Sequence, residues 1–393
     1  MNRIATLALL AAALLVAACS RAEQVKPDRP LIPAEGAVAA PPPAPGPLGH
    51  KVGELFQVGA AAYVRSLYVR GDDLYVGTST GVVVVDRNSG NVRRTFSMQD
   101  GMRDPYAFVV RPAPDGGVWM GTNSGGLAIY RDGAVQNYLP KHGLADIWVY
   151  DVAWAEDGSA WIATWDGVNH VTGSLDDKAN WQTFNTDDGL ANPWVYAIQI
   201  DRAGAVWFGT EGGLSRYVNG QWTTWLQKDG LGAPNPRQLA SSPLSGFGSK
   251  QAGEHSHDLT TLDPGGRETY NENYVFSLLL DPDQTLWIGT WGGGVAHFDG
   301  QTFSNLTEAD GLAGNVVYSI ARDDGDGSMW FGTNRGISRY DGKGWTTFTQ
   351  ADGLVGDDVY TLAIDPDHVV WAGQKGAVVK LVPLLAGHGG GHG

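Results

Sequence analysis

The sequence has a single cysteine in 393 residues, Cys19, so no intrachain disulfide can form and no zinc–thiolate cluster is available. Beyond residue 18 no stretch reaches the ~18 apolar residues of a membrane-spanning helix. Basic residues are scarce: 27 Lys and Arg face 42 Asp and Glu, a formal net charge of −15. That balance disfavours nucleic acid and anionic membrane as general partners. His-Glu-x-x-His does not occur, so a common metallohydrolase signature is missing as well. What the chain holds in excess is turn formers and large rings, with 55 Gly, 15 Trp and 14 Tyr. Such a composition fits many short strands joined by tight turns.

The first residues read as a targeting segment rather than as structure. Met1-Asn2-Arg3 is a short positive region, and Ile4 to Ala18 is apolar and uncharged. The run ends Val16-Ala17-Ala18-Cys19, which resembles the lipobox of bacterial lipoproteins. The resemblance implies a signal peptide over 1–18 and a thiol at Cys19 joined to diacylglycerol, an anchor that needs no spanning helix. Residue 20 is Ser rather than Asp, which by analogy with lipoprotein sorting points to the outer membrane. Residues 19–50 hold a Pro/Ala cluster, Pro41-Pro42-Pro43-Ala44-Pro45-Gly46-Pro47, expected to be an extended tether.

From about residue 51 to 382 one unit recurs, mostly every 41 to 46 residues. Its landmark is aromatic-x-Gly-Thr, beginning at Tyr75, Trp119, Trp161, Trp207, Trp287 and Trp330, with a worn copy Trp371-Ala-Gly-Gln374. One full copy reads as four strands: Val317 to Ile320, Ser328 to Phe331, Gly336 to Tyr340 and Gly344 to Phe348. Four short strands per unit is a propeller blade, and the landmark Trp is expected to pack between adjacent blades. The seventh unit lacks an outer strand, whereas Glu54 to Val58 precedes the first unit in the outer-strand position. The expected fold is therefore all-β, a seven-bladed propeller whose last blade is completed by an N-terminal strand, leaving no open edges.

The units resemble the two-component-regulator propeller repeat. The matching residues are Asp188-Gly-Leu190 with Val195 to Ile198 and Trp207 to Leu214, Asp310-Gly-Leu312 with Ile320 and Trp330 to Ile337, and Asp352-Gly-Leu354. The resemblance implies a propeller outside the membrane. In sensors of that family such propellers feed a transmembrane helix and a histidine kinase, parts this sequence does not show. Direct signal transduction is therefore not expected, whereas ligand recognition is.

Propeller ligands generally lie on the face made by the connections that enter the inner strand and that join the second strand to the third. The residue just before each inner strand is Tyr63, Tyr106, Trp148, Trp194, Tyr274, Val316 or Asp358. The residue after Gly-Thr is Ser79, Asn123, Trp165, Glu211, Trp291 or Asn334, with Asp166, Arg335 and Lys375 beside this loop in their blades. A rim of rings interleaved with amides and charges suits a glycan, or a small aromatic or cationic ligand such as a quaternary ammonium. The same rings would also serve plain blade packing. Trp165 and Trp291 vary freely between blades, so replacing them is expected to leave folding nearly intact.

Between Leu231 and Asn273 one connection is about 35 residues longer than its equivalents, and it is read as a lid or a disordered insertion. His255 and His257 inside it are weak candidates for a metal site, and no metal or other cofactor is expected. Residues 383–393 read as a flexible Gly/His tail. Asp323-Asp-Gly-Asp326-Gly reads as a turn inside a blade rather than a calcium loop. No catalytic residue is assigned. The alternatives to a recognition module are a polysaccharide or lactone lyase or hydrolase using Glu211 with a His from the long connection, and an interaction scaffold in an envelope complex. Expected partners are a glycan or small molecule, or an envelope protein; nucleic acid is not expected, and membrane contact runs through the lipid anchor alone.

Overall fold

A computed structural model describes residues 49–234 and 270–384. Cys19, the rest of the tether to residue 48, His255, His257 and tail residues 385–393 lie outside the described residues, whereas His50 and Pro383, expected in the tether and the tail, belong to strands. The described chain forms seven four-stranded antiparallel sheets. Six of them use consecutive strands, running from an inner strand a to an outer strand d. The seventh is closed by His50–Gln57, which pairs antiparallel with Ala377–Pro383. The sequence expectation of a closed seven-bladed ring holds, and the reason is the missing outer strand of the last unit.

Each repeated residue has a local cause. In Asp-Gly-Leu, the Asp carboxylate accepts the amide that opens the turn, as Asp188 does from Asn185 and Asp310 from Thr307, at 2.9 and 2.8 Å. The Gly that follows is left-handed, with φ of 122° at Gly189 and 117° at Gly311. The Leu then drops into the core: Leu144, Leu190, Leu312 and Leu354 are all buried. In Trp-x-Gly-Thr, the Thr hydroxyl closes the next hairpin. Thr78, Thr122, Thr164, Thr210, Thr290 and Thr333 each donate to a Gly carbonyl at 2.8–2.9 Å. Gln374 has the Thr place in the last blade and donates instead to the carbonyls of Gly356 and Asp358 at 2.6 and 3.2 Å.

The Gly of the same motif is where blades meet. A Cβ on Gly121 would come within 2.6 Å of the Val149 carbonyl, at the start of the following blade's inner strand, and one on Gly332 within 2.6 Å of the Val359 carbonyl, just before the next one. The landmark Trp fills the rest of that junction, as expected. Trp161 packs with Val195, Ile198 and Phe208 of the next blade, and Trp371 with Val64, Leu67 and Leu74 of the first. Some of their indole N–H groups find carboxylate acceptors, Trp207 on Asp201 at 3.1 Å and Trp371 on Asp365 at 3.0 Å, whereas that of Trp119 is buried without one among the described residues. The Asp323–Asp326 stretch forms the turn between the inner and second strands of blade six, with the Gly325 amide donating to Asp323 at 2.9 Å.

Candidate functional site

Every inner strand from blade one to blade six carries a β-bulge at the same place. Val149 pairs with Thr164 and Asp151 with Ala163, so Tyr150 is an extra residue with no partner across the ladder. The same one-residue insertion occurs at Arg65, Phe108, Tyr196, Phe276 and Tyr318. A bulge turns its extra side chain out of the pleat. Here the insertion falls opposite the junction of the last two motif residues, and the result is a ring around the propeller axis. Tyr360 of blade seven completes it, and all seven residues line one central cavity of about 190 Å³.

The rings of this circle touch from blade to blade. Phe108 stacks on Tyr150 at 4.7 Å between centroids, Tyr150 meets Tyr196 at 4.9 Å, and Tyr318 meets Tyr360 at 5.4 Å. Burial holds the Tyr150, Tyr196 and Tyr318 hydroxyls well above the ordinary phenol range, so the wall stays uncharged. In blade one the circle has a guanidinium instead. The Arg65 Cζ lies 5.6 Å from the Phe108 centroid and 5.9 Å from that of Tyr360.

Of the rim residues expected from the sequence, Glu211, Tyr274 and Trp291 line this cavity. Glu211 is 7% exposed and accepts from the Tyr196 hydroxyl and the Asn271 amide, each at 3.2 Å. Burial outweighs both hydrogen bonds and pushes its carboxyl up to about 8. Asn271 belongs to the returning end of the long connection, whose described ends are clasped together. Tyr270 donates to the Ala233 carbonyl at 3.2 Å, and the Asn271 amide to that of Trp291 at 3.0 Å. The sequence offered no reason to pair Asn271 with Glu211.

The other rim residues fall outside the cavity wall. Trp165 stacks on Trp194 at 4.2 Å and meets Trp148 edge-on at 4.9 Å, an aromatic cluster on blades three and four that reaches Tyr150 of the ring at 6.3 Å. Asp166 is exposed beside it, with its amide on Thr164 at 3.2 Å. Tyr106 packs on Phe108 at 5.0 Å. Asn334 accepts the Val316 amide at 3.3 Å, and Arg335 lies 3.9 Å from Glu308. Asp358 accepts from Tyr318 at 3.1 Å, its carboxyl raised by burial. Lys375 sits 4.8 Å over Tyr63.

One expectation is corrected. Trp291 is only 5% exposed and packs with Tyr63, Tyr274, Val316, Tyr318 and Tyr360. Unlike half-buried Trp165, it belongs to the core, because its loop folds inward over the channel wall. Replacing it would open a cavity at a cost of about 3–5 kcal/mol rather than a surface-like change. The ring of bulge residues was missed altogether. Its sequence signal is a break in alternation, a small apolar residue followed directly by a large ring or Arg, as in Val149-Tyr150 and Val64-Arg65.

The two component regulator propeller family matches at residues 189–212, 269–292 and 311–335. Among solved structures, two extracellular domains assigned to hybrid two component systems of B. thetaiotaomicron are similar. One has TM-score 0.63 at 18% identity over 82% of this chain and 39% of that one. The other has TM-score 0.62 at 19% identity, over 84% and 40%. The chain thus spans about two fifths of the length of those domains. A catalytically inactive virginiamycin B lyase from Staphylococcus aureus, with quinupristin, has TM-score 0.61 at 12% identity, over 86% of this chain and 100% of that one. Identities this low carry the fold alone. A search of curated proteins finds no match. The chain is thus a seven-bladed propeller in which three segments match the two component regulator propeller family.

Proposed function

We propose that this protein is an envelope-anchored recognition propeller that holds a small ligand, a glycan or a small aromatic compound, in its central channel. The ring of bulge residues carries the reading. An extra residue in a ladder has no cross-strand partner to satisfy, so the fold leaves its identity open. Six of the seven positions nevertheless hold Phe or Tyr around one cavity. Flat rings beside hydroxyl and carboxyl groups match a ligand with apolar faces and polar edges. A lyase or hydrolase reading has one observation in its favour, the proton that Glu211 keeps at neutral pH. No His is among the described residues lining the cavity.

The test is a glycan and metabolite array, with hits titrated against wild type and Tyr150→Ser. Losing a buried stacking ring commonly costs ~2 kcal/mol or more, about thirtyfold in affinity. Binding that survives this change undiminished would put the ligand elsewhere and favour the scaffold alternative. Expression in a bacterial host also tests the anchor. Cys19→Ala is expected to abolish metabolic lipid labelling and to leave residues 1–18 attached, as read by intact mass; normal labelling would remove the lipobox reading.

A further inference from the structure

We propose that the channel is an anion site, in which Arg65 receives a carboxylate carried on a ring compound, either an acidic sugar or an aromatic acid. This rests on the channel being the ligand site, and it fixes the charge of what enters. The position comes first. Arg65 is the bulge residue of blade one, where five other bulged strands present Phe or Tyr, so the repeat itself does not call for a charge.

Its surroundings come second. The Arg65 Nη1 is buried and has no hydrogen-bond partner among the described residues. In a chain with 42 acidic and 27 basic residues that is unusual. Three other arginines that are buried or half-buried have a carboxylate beside them, although the Nε of Arg216 and of Arg339 is likewise without a partner: Arg216 lies 3.8 Å from Asp201, Arg339 2.5 Å from Asp326, and Arg87 3.0 Å from Asp365. Phe108 and Tyr360 approach Arg65 as rings, which supply no acceptor for its in-plane N–H donors. A half-buried cation with no carboxylate beside it among the described residues is costly to keep. A planar fork of donors is also the group best shaped to take a carboxylate through two parallel hydrogen bonds.

The carboxyls within the cavity do not serve as that counterion. Asp151 faces Arg111 at 3.6 Å, and burial raises its carboxyl. Glu211 is held by Tyr196 and Asn271, and with its carboxyl pushed up to about 8 it stays mostly protonated at neutral pH. A quaternary ammonium is therefore disfavoured here, despite the acidic balance of the whole chain. The remaining positive charge selects an anion, and the surrounding rings select one with a flat or apolar body.

The experiment uses the full-length protein and matched probes: oligogalacturonate against its neutral galactose counterpart, and indole-3-acetate against its amide. Calorimetric titration is expected to favour the acid of one pair at least tenfold, and the pair that responds distinguishes sugar from aromatic acid. Arg65→Gln should erase that preference, and Arg65→Lys should keep part of it. In the absence of ligand Arg65→Gln should melt no lower than wild type, since it removes an unpaired charge. A fall of several degrees would make Arg65 a structural residue and overturn the proposal. Equal binding of acid and neutral probe, lost in Tyr150→Ser yet untouched by Arg65→Gln, would overturn the anion site and leave the channel reading standing. No binding by any probe would overturn both.

Discussion

Removing residues 50–57 is expected to destabilise the propeller by about 4 kcal/mol, whereas removing 20–45 should leave its melting temperature unchanged. The N-terminal strand contributes Val52 to the core between blades six and seven, and Phe56 to the core between blades seven and one. Phe56 also stacks on Trp371 at 6.0 Å. Each partly buried apolar side chain contributes about 1–2 kcal/mol. The deletion also bares the whole edge of Ala377–Pro383, which is open to pairing with another chain. Melting curves with size-exclusion chromatography read both effects. A shortened protein that melts with the intact one and stays monomeric would mean the strand is not the closure.

Glu211→Gln is expected to stabilise the protein at alkaline pH and to change little in acid. Burial raises the carboxyl from 4.5 to about 8 in the folded state. The unfolded chain releases this proton near 4.5, and the folded chain keeps it until about 8. The favourable contribution is therefore complete below the lower value, shrinks as pH rises, and is gone above the upper one. Gln resembles the protonated acid and does not titrate. At about pH 9 the variant should be more stable by a few kcal/mol, since each tenfold change in proton affinity between the two states is worth about 1.4 kcal/mol. Other carboxylates titrate alike in both proteins, so the difference between the two stability–pH curves isolates Glu211. Parallel curves from about pH 5 to pH 9 would show that the carboxyl ionises freely and is not desolvated.

The blade plan was open to reading in the sequence because its causes are local. Asp188-Gly189-Leu190 closes a turn with its own carboxylate, bends at a left-handed Gly and buries the next side chain, all within six residues. Trp-x-Gly-Thr likewise pairs within its hairpin, and the missing outer strand of the last unit told where the N-terminal strand belongs. Rim residues were legible by repeat position, yet position did not separate them. Trp165 and Trp291 share one place in the repeat, but one stacks at the rim and the other is buried in the channel wall.

What the sequence by itself determined is therefore the closed seven-bladed ring, whose signals are short-range and repeated. The chemistry of the channel was decided only by the tertiary structure. A bulge is defined by its partner strand, so Arg65, Tyr150 and Tyr196 look like ordinary strand residues until the ladder is drawn. The proton on Glu211 and the unmatched guanidinium nitrogen of Arg65 depend on which groups seven distant inner strands bring around one axis. Desolvation and pairing act through space, and residues as far apart as Arg65 and Tyr360 meet only once the ring has closed.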